Sequence, residues 1–351
     1  MRQTKISLAA LLVLMMVVLG ACGNGNNSAS SVNSADPSET SSGTGASSSN
    51  GGETNSTPEK ATIRVGLVGG GMTPIITQIG INDGSYEQAG ITVKKEEFSS
   101  GADMVQALVG GSLDIALGSY EHVLRQQKNG LGVKAYGEIF NGGGYALVVK
   151  KDAPYQSLAD LKGKTLAVTK VGSLSDTVLR EGLKDAGIDG SKDVQIINGG
   201  SGATMLAAIE SGKTAGGMAS EPTVSQMVAT GNYRVLYDPP YDFAGIVVMA
   251  KTDWVDKNQD AMRRFLQVSS EINDRAQQDP ASAVAAMLKE FNQVPADVME
   301  TAVKNQLAKV PEGLKVTEAG AKKVSDIEIE QGVINKEIPF DQTVDLSLLP
   351  Q

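Results

Sequence analysis

Two stretches of this chain constrain its fold more than anything else in it. Residues 100–119 read SGADMVQALVGGSLDIALGS, and residues 201–220 read SGATMLAAIESGKTAGGMAS. Seven of the twenty positions coincide: 100/201, 101/202, 102/203, 104/205, 107/208, 111/212 and 119/220. Val105/Leu206 and Leu108/Ile209 are apolar swaps. Each stretch is a Ser-Gly helix start, an amphipathic helix, a strand and a loop ending in Ser. The matched order of punctuation implies one α/β unit used twice.

The surrounding sequence fits that unit. Ile63–Val68 predicts a strand ended by Gly69, Gly70 and Gly71, and Ile91-Thr92-Val93 begins a second. Leu113–Leu117 predicts a third, stopped at Gly118-Ser119. Thr165–Thr169, a helix with Val178, Leu179 and Leu183, and a strand over Val194–Ile197 repeat the scheme. Strands alternating with helices at this spacing predict two α/β lobes, each a mostly parallel sheet flanked by helices. Ala244–Ala250 predicts a strand returning to the first lobe. The remainder is helical. Met262, Phe265, Leu266 and Ile272 mark a core face, Asp279-Pro280 opens the Ala283–Phe291 helix, and Pro295 and Asp297 open another. Residues 320–351 are read as a helix and a trailing extension.

Two similar lobes imply a cleft, and ligands of open α/β sheets sit beyond the carboxyl ends of the strands. The loops there are rich in Gly and Ser: Gly69–Pro74, Ser99–Gly101, Gly118–Tyr120, Lys170–Ser173, Gly199–Gly202 and Ala219–Glu221. Several precede helices, whose free N–H groups favour a polar or anionic ligand. The candidate ligand contacts are therefore Gly71, Met72, Thr73, Ser99, Ser100, Gly101, Gly118, Ser119, Tyr120, Asn141, Lys170, Gly172, Ser173, Ser201, Gly202, Ser220, Glu221 and Tyr241. Tyr120 is the preferred aromatic contact, because it follows a Gly-Ser turn at a strand end. Glu121 is either near the cleft or a solvated helix-start carboxylate. Glu221 either faces the ligand or makes a structural salt bridge. Asn141–Tyr145 is either a hairpin turn or a segment beside the cleft. Ser173 and Ser175 can cap a helix and bind an anion with the same N–H groups. His122 is expected to be a cap or surface partner rather than a catalyst. Gly66-x-x-Gly69 is not a dinucleotide fingerprint, because Val68 stands where that motif needs Gly.

Other classes are excluded by composition. The chain has 351 residues and a net charge of −9, which argues against nucleic acid as a partner. With one Cys and one His, it can form neither an internal disulfide nor a Cys/His zinc site. No metal, cofactor or catalytic residue is assigned. At the N-terminus, Arg2 and Lys5 precede an apolar run from Ile6 to Leu19, too short to span a bilayer as a helix and suited to a signal peptide over residues 1–21. Leu19-Gly20-Ala21-Cys22 resembles the lipobox of bacterial lipoproteins, in which the Cys is acylated. Residues 22–60 follow as a Ser/Gly/Asn/Thr linker that cannot offset its own ordering entropy.

With these residues in view, the chain resembles solute-binding lipoproteins of ABC importers, in the branch serving nitrate, alkanesulfonates, taurine and thiamine-pyrimidine precursors. The stretches that carry the resemblance are Ser99–Ser119 with Asp114, Gly144–Lys151, Ser157–Thr169 and Glu221-Pro222. It implies a two-lobed type II periplasmic-binding-protein fold over about residues 61–350. It also implies chain crossings near Lys151–Pro154 and Asp238–Phe243. Lobe 1 is then 61–152 plus 244–351, and lobe 2 is 153–243. The implied function is capture of a small polar or anionic solute, with ABC permease and ATPase subunits as partners. The implied setting is an extracytoplasmic, lipid-anchored monomer. Ser220 stands where many relatives carry an aromatic before the Glu-Pro pair. The alternatives are a tethered sensor of the same fold, and an enzyme related to pyrimidine synthases. The latter depend on His and Cys chemistry, which a lipid-site Cys22 and a solitary His122 do not supply. Cys22→Ala is expected to abolish labelling by radioactive palmitate and release the protein from the membrane fraction; unchanged labelling would refute the anchor.

Overall fold

The computed structural model describes residues 60–239 and 243–351. The expected signal peptide, Cys22, the linker and Tyr241 lie outside the described residues. Among the described residues ten strands form two five-stranded sheets. The first contains β1 (Ala61–Val68), β2 (Ile91–Phe98), β3 (Ile115–Ser119), β4 (Val133–Phe140) and β10 (Ile246–Lys251). The second contains β5 (Ala146–Lys150), β6 (Thr165–Val168), β7 (Gln195–Asn198), β8 (Gly216–Ala219) and β9 (Tyr233–Tyr237).

The spatial orders are β2-β1-β3-β10-β4 and β7-β6-β8-β5-β9. They are the same pattern, with β10 and β5 as the equivalent strands. In each sheet that strand runs antiparallel to both neighbours, and the rest are mutually parallel. The duplicated stretches occupy matching places. Helix α3 (Gly101–Val109) leads to β3, and α6 (Ala203–Glu210) leads to β8. The other helices of the sheet-forming region are α1 (Ile75–Asp83), α2 (Ser85–Gln88), α4 (Tyr120–Lys128), α5 (Leu174–Asp185) and α7 (Thr223–Ala229). The chain ends in α8 (Thr252–Val255), α9 (Gln259–Gln278), α10 (Pro280–Glu290), α11 (Ala296–Leu307), α12 (Glu318–Glu330) and α13 (Phe340–Thr343). As expected, Asp279 caps α10, its side chain accepting from Ser282 N at 3.3 Å with Pro280 in the first turn.

The first crossing differs from the expectation. The sheets change between β4 and β5, at residues 141–145, and not near Lys151–Pro154. The reason is pairing: β5 lies between β8 and β9, so Ala146–Lys150 already belongs to the second sheet. Asn141–Tyr145 is thus a crossing and not a hairpin turn. The second crossing joins β9 to β10, where Asp238–Phe243 was expected. The two crossings run side by side, with Gly142 N donating to Phe243 O at 2.8 Å and Gly245 N to Glu138 Oε1 at 2.8 Å.

Two local devices hold the first lobe. Asp114 staples β3 to β1, its carboxylate accepting from Arg64 N at 2.8 Å, Nε at 3.0 Å and Nη2 at 2.6 Å. On α9, Phe265 stacks on Tyr86 with ring centroids 5.0 Å apart and planes 9° apart. The Tyr86 hydroxyl bonds Ser269 Oγ at 2.7 Å, so the aromatic pair is pinned at both ends. Phe265 is fully buried in the main apolar core. Phe265→Ala is expected to destabilise the protein by about 3–5 kcal/mol, read as a lower midpoint of urea unfolding; a loss under about 1 kcal/mol would contradict this packing.

Candidate functional site

The carboxyl ends of the parallel strands in both sheets face one another, and the loops leaving them touch. Met72 N donates to Glu221 O at 2.8 Å, and Ser201 Oγ donates to Gly69 O at 2.6 Å. Gly70 and Gly202 meet backbone to backbone: a Cβ on Gly70 would stand 3.2 Å from Gly202 Cα. Both have positive φ, +75° and +52°, so a side chain at either would be strained as well as crowded. A Cβ on Gly71 would stand 2.8 Å from Ser220 Oγ. Lys170, before α5, pairs with Asp103 in the first turn of α3 and holds that carboxyl below its usual range. Asp103 also accepts from Ser99 Oγ at 3.1 Å and Ser100 Oγ at 2.8 Å, while Ser100 Oγ caps α3 by accepting from Asp103 N at 3.2 Å.

Small hydroxyl residues gather under this rim. Ser173 Oγ lies 2.8 Å from Thr169 Oγ1 and 3.2 Å from Ser175 Oγ, and donates to Lys170 O at 2.8 Å. Thr169 N donates to Ser175 Oγ at 2.9 Å. Thr73, Ser100, Ser119, Thr169, Ser173, Ser175 and Ser220 are all buried. Thr73 packs at Gly144 in the first crossing. Hydroxyls and helix N-termini of α3, α4 and α5 thus share one closed interface, which suits a small polar molecule.

Several expected contacts lie elsewhere. Tyr120 turns back into the first lobe, its hydroxyl 2.6 Å from Thr343 Oγ1 on α13 and its ring 1% exposed. Among the described residues Glu221 has no ion pair, and its carboxylate is bound up across the interface instead of open to a solute. Its Oε2 accepts from Ser225 N at 3.0 Å, and its Oε1 accepts from Ser225 Oγ at 2.9 Å and Asn305 Nδ2 at 3.1 Å, so it fastens α7 to α11. Gly118 is inside β3, where a Cβ would meet Met104 at 2.6 Å. Asn141 N donates to Lys309 O at 2.7 Å, within the first lobe. Ser99 and Gly172 are exposed at the rim, and Gly172 O accepts from Arg125 Nη1 at 2.6 Å.

His122 is not a surface residue. It is 3% exposed, and its Nε2 is buried without a hydrogen-bond partner, facing Gly101 at the start of α3. Burial, with Arg125 nearby, pushes its pKa down to about 3. Glu121 is fully buried; the Thr177 hydroxyl supports its carboxyl, and neither oxygen has an N–H donor at hydrogen-bond distance. Burial pushes it up to about 7, with Arg125 opposing and Glu328 adding to the rise. Arg125 Nη1 is 3.7 Å from Glu121 Oε1, but the guanidinium is engaged in a bidentate pair with Glu328, at 2.7 Å twice. Thr177 of α5 lies beside Glu121, and Tyr145 of the first crossing lies near both Glu121 and Thr169. Sequence reasoning chose Tyr120 from this turn. Successive helical residues point about 100° apart, so the Gly-Ser turn located the right helix start without saying which residue faces inward.

No group of three or more metal-ligating side chains occurs among the described residues. None of the described helices is long and apolar enough to cross a membrane.

Two equivalent sheets, two adjacent crossings and an interface of helix starts define the type II periplasmic-binding-protein fold. The chain belongs to the NMT1/THI5-like family, whose profile matches residues 73–283. A candidate binding protein of Brucella abortus (strain 2308) is 29% identical over 269 residues, which cover 74% of this chain and 81% of that protein. The aliphatic sulphonate binding protein SsuA of Escherichia coli shares the fold with a TM-score of 0.64 at 22% identity, covering 81% of this chain and 97% of SsuA. The nitrate-binding protein NrtA of Synechocystis PCC 6803 does so with a TM-score of 0.68 at 17% identity, covering 83% and 88%.

The burial of His122 predicts its titration. It is the one imidazole in the chain, so its Cε1–H proton resonance is unambiguous. That signal is expected to hold its position from about pH 8 down to about pH 5. Its depressed folded value favours the fold above pH 6.5, a contribution lost as the pH falls toward about 3. A midpoint near 6.5 would place His122 in solvent.

Proposed function

We propose that this chain is the solute-binding protein of an ABC importer: it captures a small polar or anionic organic solute between its lobes and presents the closed form to a permease–ATPase partner. On this reading it works outside the cytoplasm, as a monomer tethered through an acylated Cys22 and the 22–60 linker, and performs no chemistry on the solute. The observation that carries the reading is the interface itself. Helix starts and hydroxyls from two lobes of the same topology meet at the loops between them, which is the architecture of a clamp. Family membership and the binding-protein relative support it.

The proposed contacts are Thr73, Ser100 and Gly101 from lobe 1 and Thr169, Ser173 and Ser220 from lobe 2. A solute touching both sets favours the closed state by its differential affinity for it. The hinge is the pair of crossings at 141–145 and 238–245.

Gly70 offers a test remote from the buried hydroxyls, because it is exposed and touches the other lobe through backbone alone. Gly70→Val is expected to lower stability by about 1–2 kcal/mol, because φ is +75° there, and to leave the protein folded. It should weaken binding of the solute that copurifies with the protein by about ten-fold or more. Small-angle scattering is expected to show compaction on adding that solute to wild type, and less in the variant. Turnover of the solute, or binding with no change in scattering, would reject the clamp.

A further inference from the structure

The cluster around Glu121 contains more acid than its visible partners use. Arg125 is the nearest cation, and it spends both the Nε and Nη2 edges of its guanidinium on Glu328 and its Nη1 on Gly172 O. Asp176 of α5 is matched by Arg180, at 2.7 Å. Two carboxyls, Glu121 and Glu328, thus share one guanidinium, and Glu121 receives only the 3.7 Å approach. Lys170, another cation at the interface, is taken by Asp103. Burying polar atoms short of partners is costly, and Glu121 leaves its carboxyl without an N–H donor while the next residue leaves Nε2 unpartnered.

These atoms sit where the lobes meet. Glu121 lies against Thr177 of lobe 2 and Tyr145 of the first crossing, and His122 lies against the start of α3. Lone pairs left open on a buried carboxyl are filled by N–H donors, and surplus negative charge by a cation. An oxyanion offers neither, and would meet the ionised form of Glu121 acceptor to acceptor.

We propose that Glu121, with His122 beside it, is the specificity contact of the interlobe site, and that the solute carries an amino, amidine or other basic nitrogen whose N–H groups fill the carboxyl. This rests on the solute-binding reading and narrows it. An acidic group on the same molecule is compatible, because the helix starts at Ser100-Gly101 and Ser173 remain open to it. The ionised Glu121 disfavours solutes that are oxyanions alone.

Matched probes test this in the full-length protein by titration calorimetry: 2-aminoethanesulfonate against 2-hydroxyethanesulfonate, and benzamidine against benzoate. The nitrogen-bearing member of a pair is expected to bind more tightly. Glu121→Gln is expected to weaken it on the order of ten- to a hundred-fold while leaving the other member unchanged. In wild-type protein the same probe is expected to shift the ring nitrogen signals of the single imidazole, which reads the contact without any substitution. If the oxygen-only members bind equally well, or the variant binds as wild type does, the inference is overturned while solute binding stands. If none of the four binds, the small molecule retained through purification is released and identified by mass spectrometry, and one without a basic N–H group overturns the inference. If nothing is retained and no probe causes compaction, the solute-binding reading falls, and this inference with it.

Discussion

Everything in this molecule depends on an exchange of strands. Each sheet is completed by a strand that the chain delivers across the interface: β5 enters the second sheet between β8 and β9, and β10 returns to the first between β3 and β4. Both run antiparallel to their neighbours, because each arrives directly from the opposite lobe instead of through a crossover helix. The crossings are therefore anchored at both ends in sheet hydrogen bonds and tied to each other at Gly142 and Phe243. Connections anchored in this way at their sheet ends suit rotation of one lobe against the other.

That constraint decides what the interface can be. The loops facing each other are those at the carboxyl ends of equivalent strands, so helix N-termini from both lobes converge without any special sequence device. Exposed contacts at the rim are individually small. The Lys170–Asp103 pair is about one-third exposed on each side and so contributes on the order of 0.2–1 kcal/mol. Gly70 and Gly202 add only backbone contact. The deeper cluster is different in kind. Glu121, His122 and Tyr145 are withdrawn from water, and there the effective dielectric falls and polar pairing carries greater weight.

Much of the fold was legible from residues alone, because punctuation and periodicity are local. The Ser-Gly starts, the apolar runs and the Asp279-Pro280 cap each act over one or two turns of chain. The duplicated stretches were legible too, and occupy equivalent places in the two sheets. What could not be read was non-local pairing. Nothing in Ala146–Lys150 says that its partners lie at 216–219 and 233–237, so the first crossing was placed several residues too late. The site shows the same division. Gly-Ser turns marked where helices begin, but not the rotation of the first turn, so Tyr120 was favoured over Glu121 and His122. Glu221 looked like a ligand contact by its type and place. In the fold it is consumed by Ser225 and Asn305, a partner eighty-four positions away.

The same exchange has a consequence for how the chain is made. The second sheet is built entirely from residues 146–237, an unbroken stretch, whereas the first has a gap at its centre until 246–251 arrives. β3 and β4 do not pair with each other; β10 stands between them. The later-synthesised lobe is thus the one able to assemble on its own contiguous chain. The earlier one must hold an open seam between β3 and β4 until its tenth strand and terminal helices emerge. Closing that seam carries the loop entropy of the whole intervening lobe, which folding of that lobe reduces by drawing its two ends together. The inserted lobe is thus complete in the chain first, and the lobe that begins the chain can close only when its last strand follows.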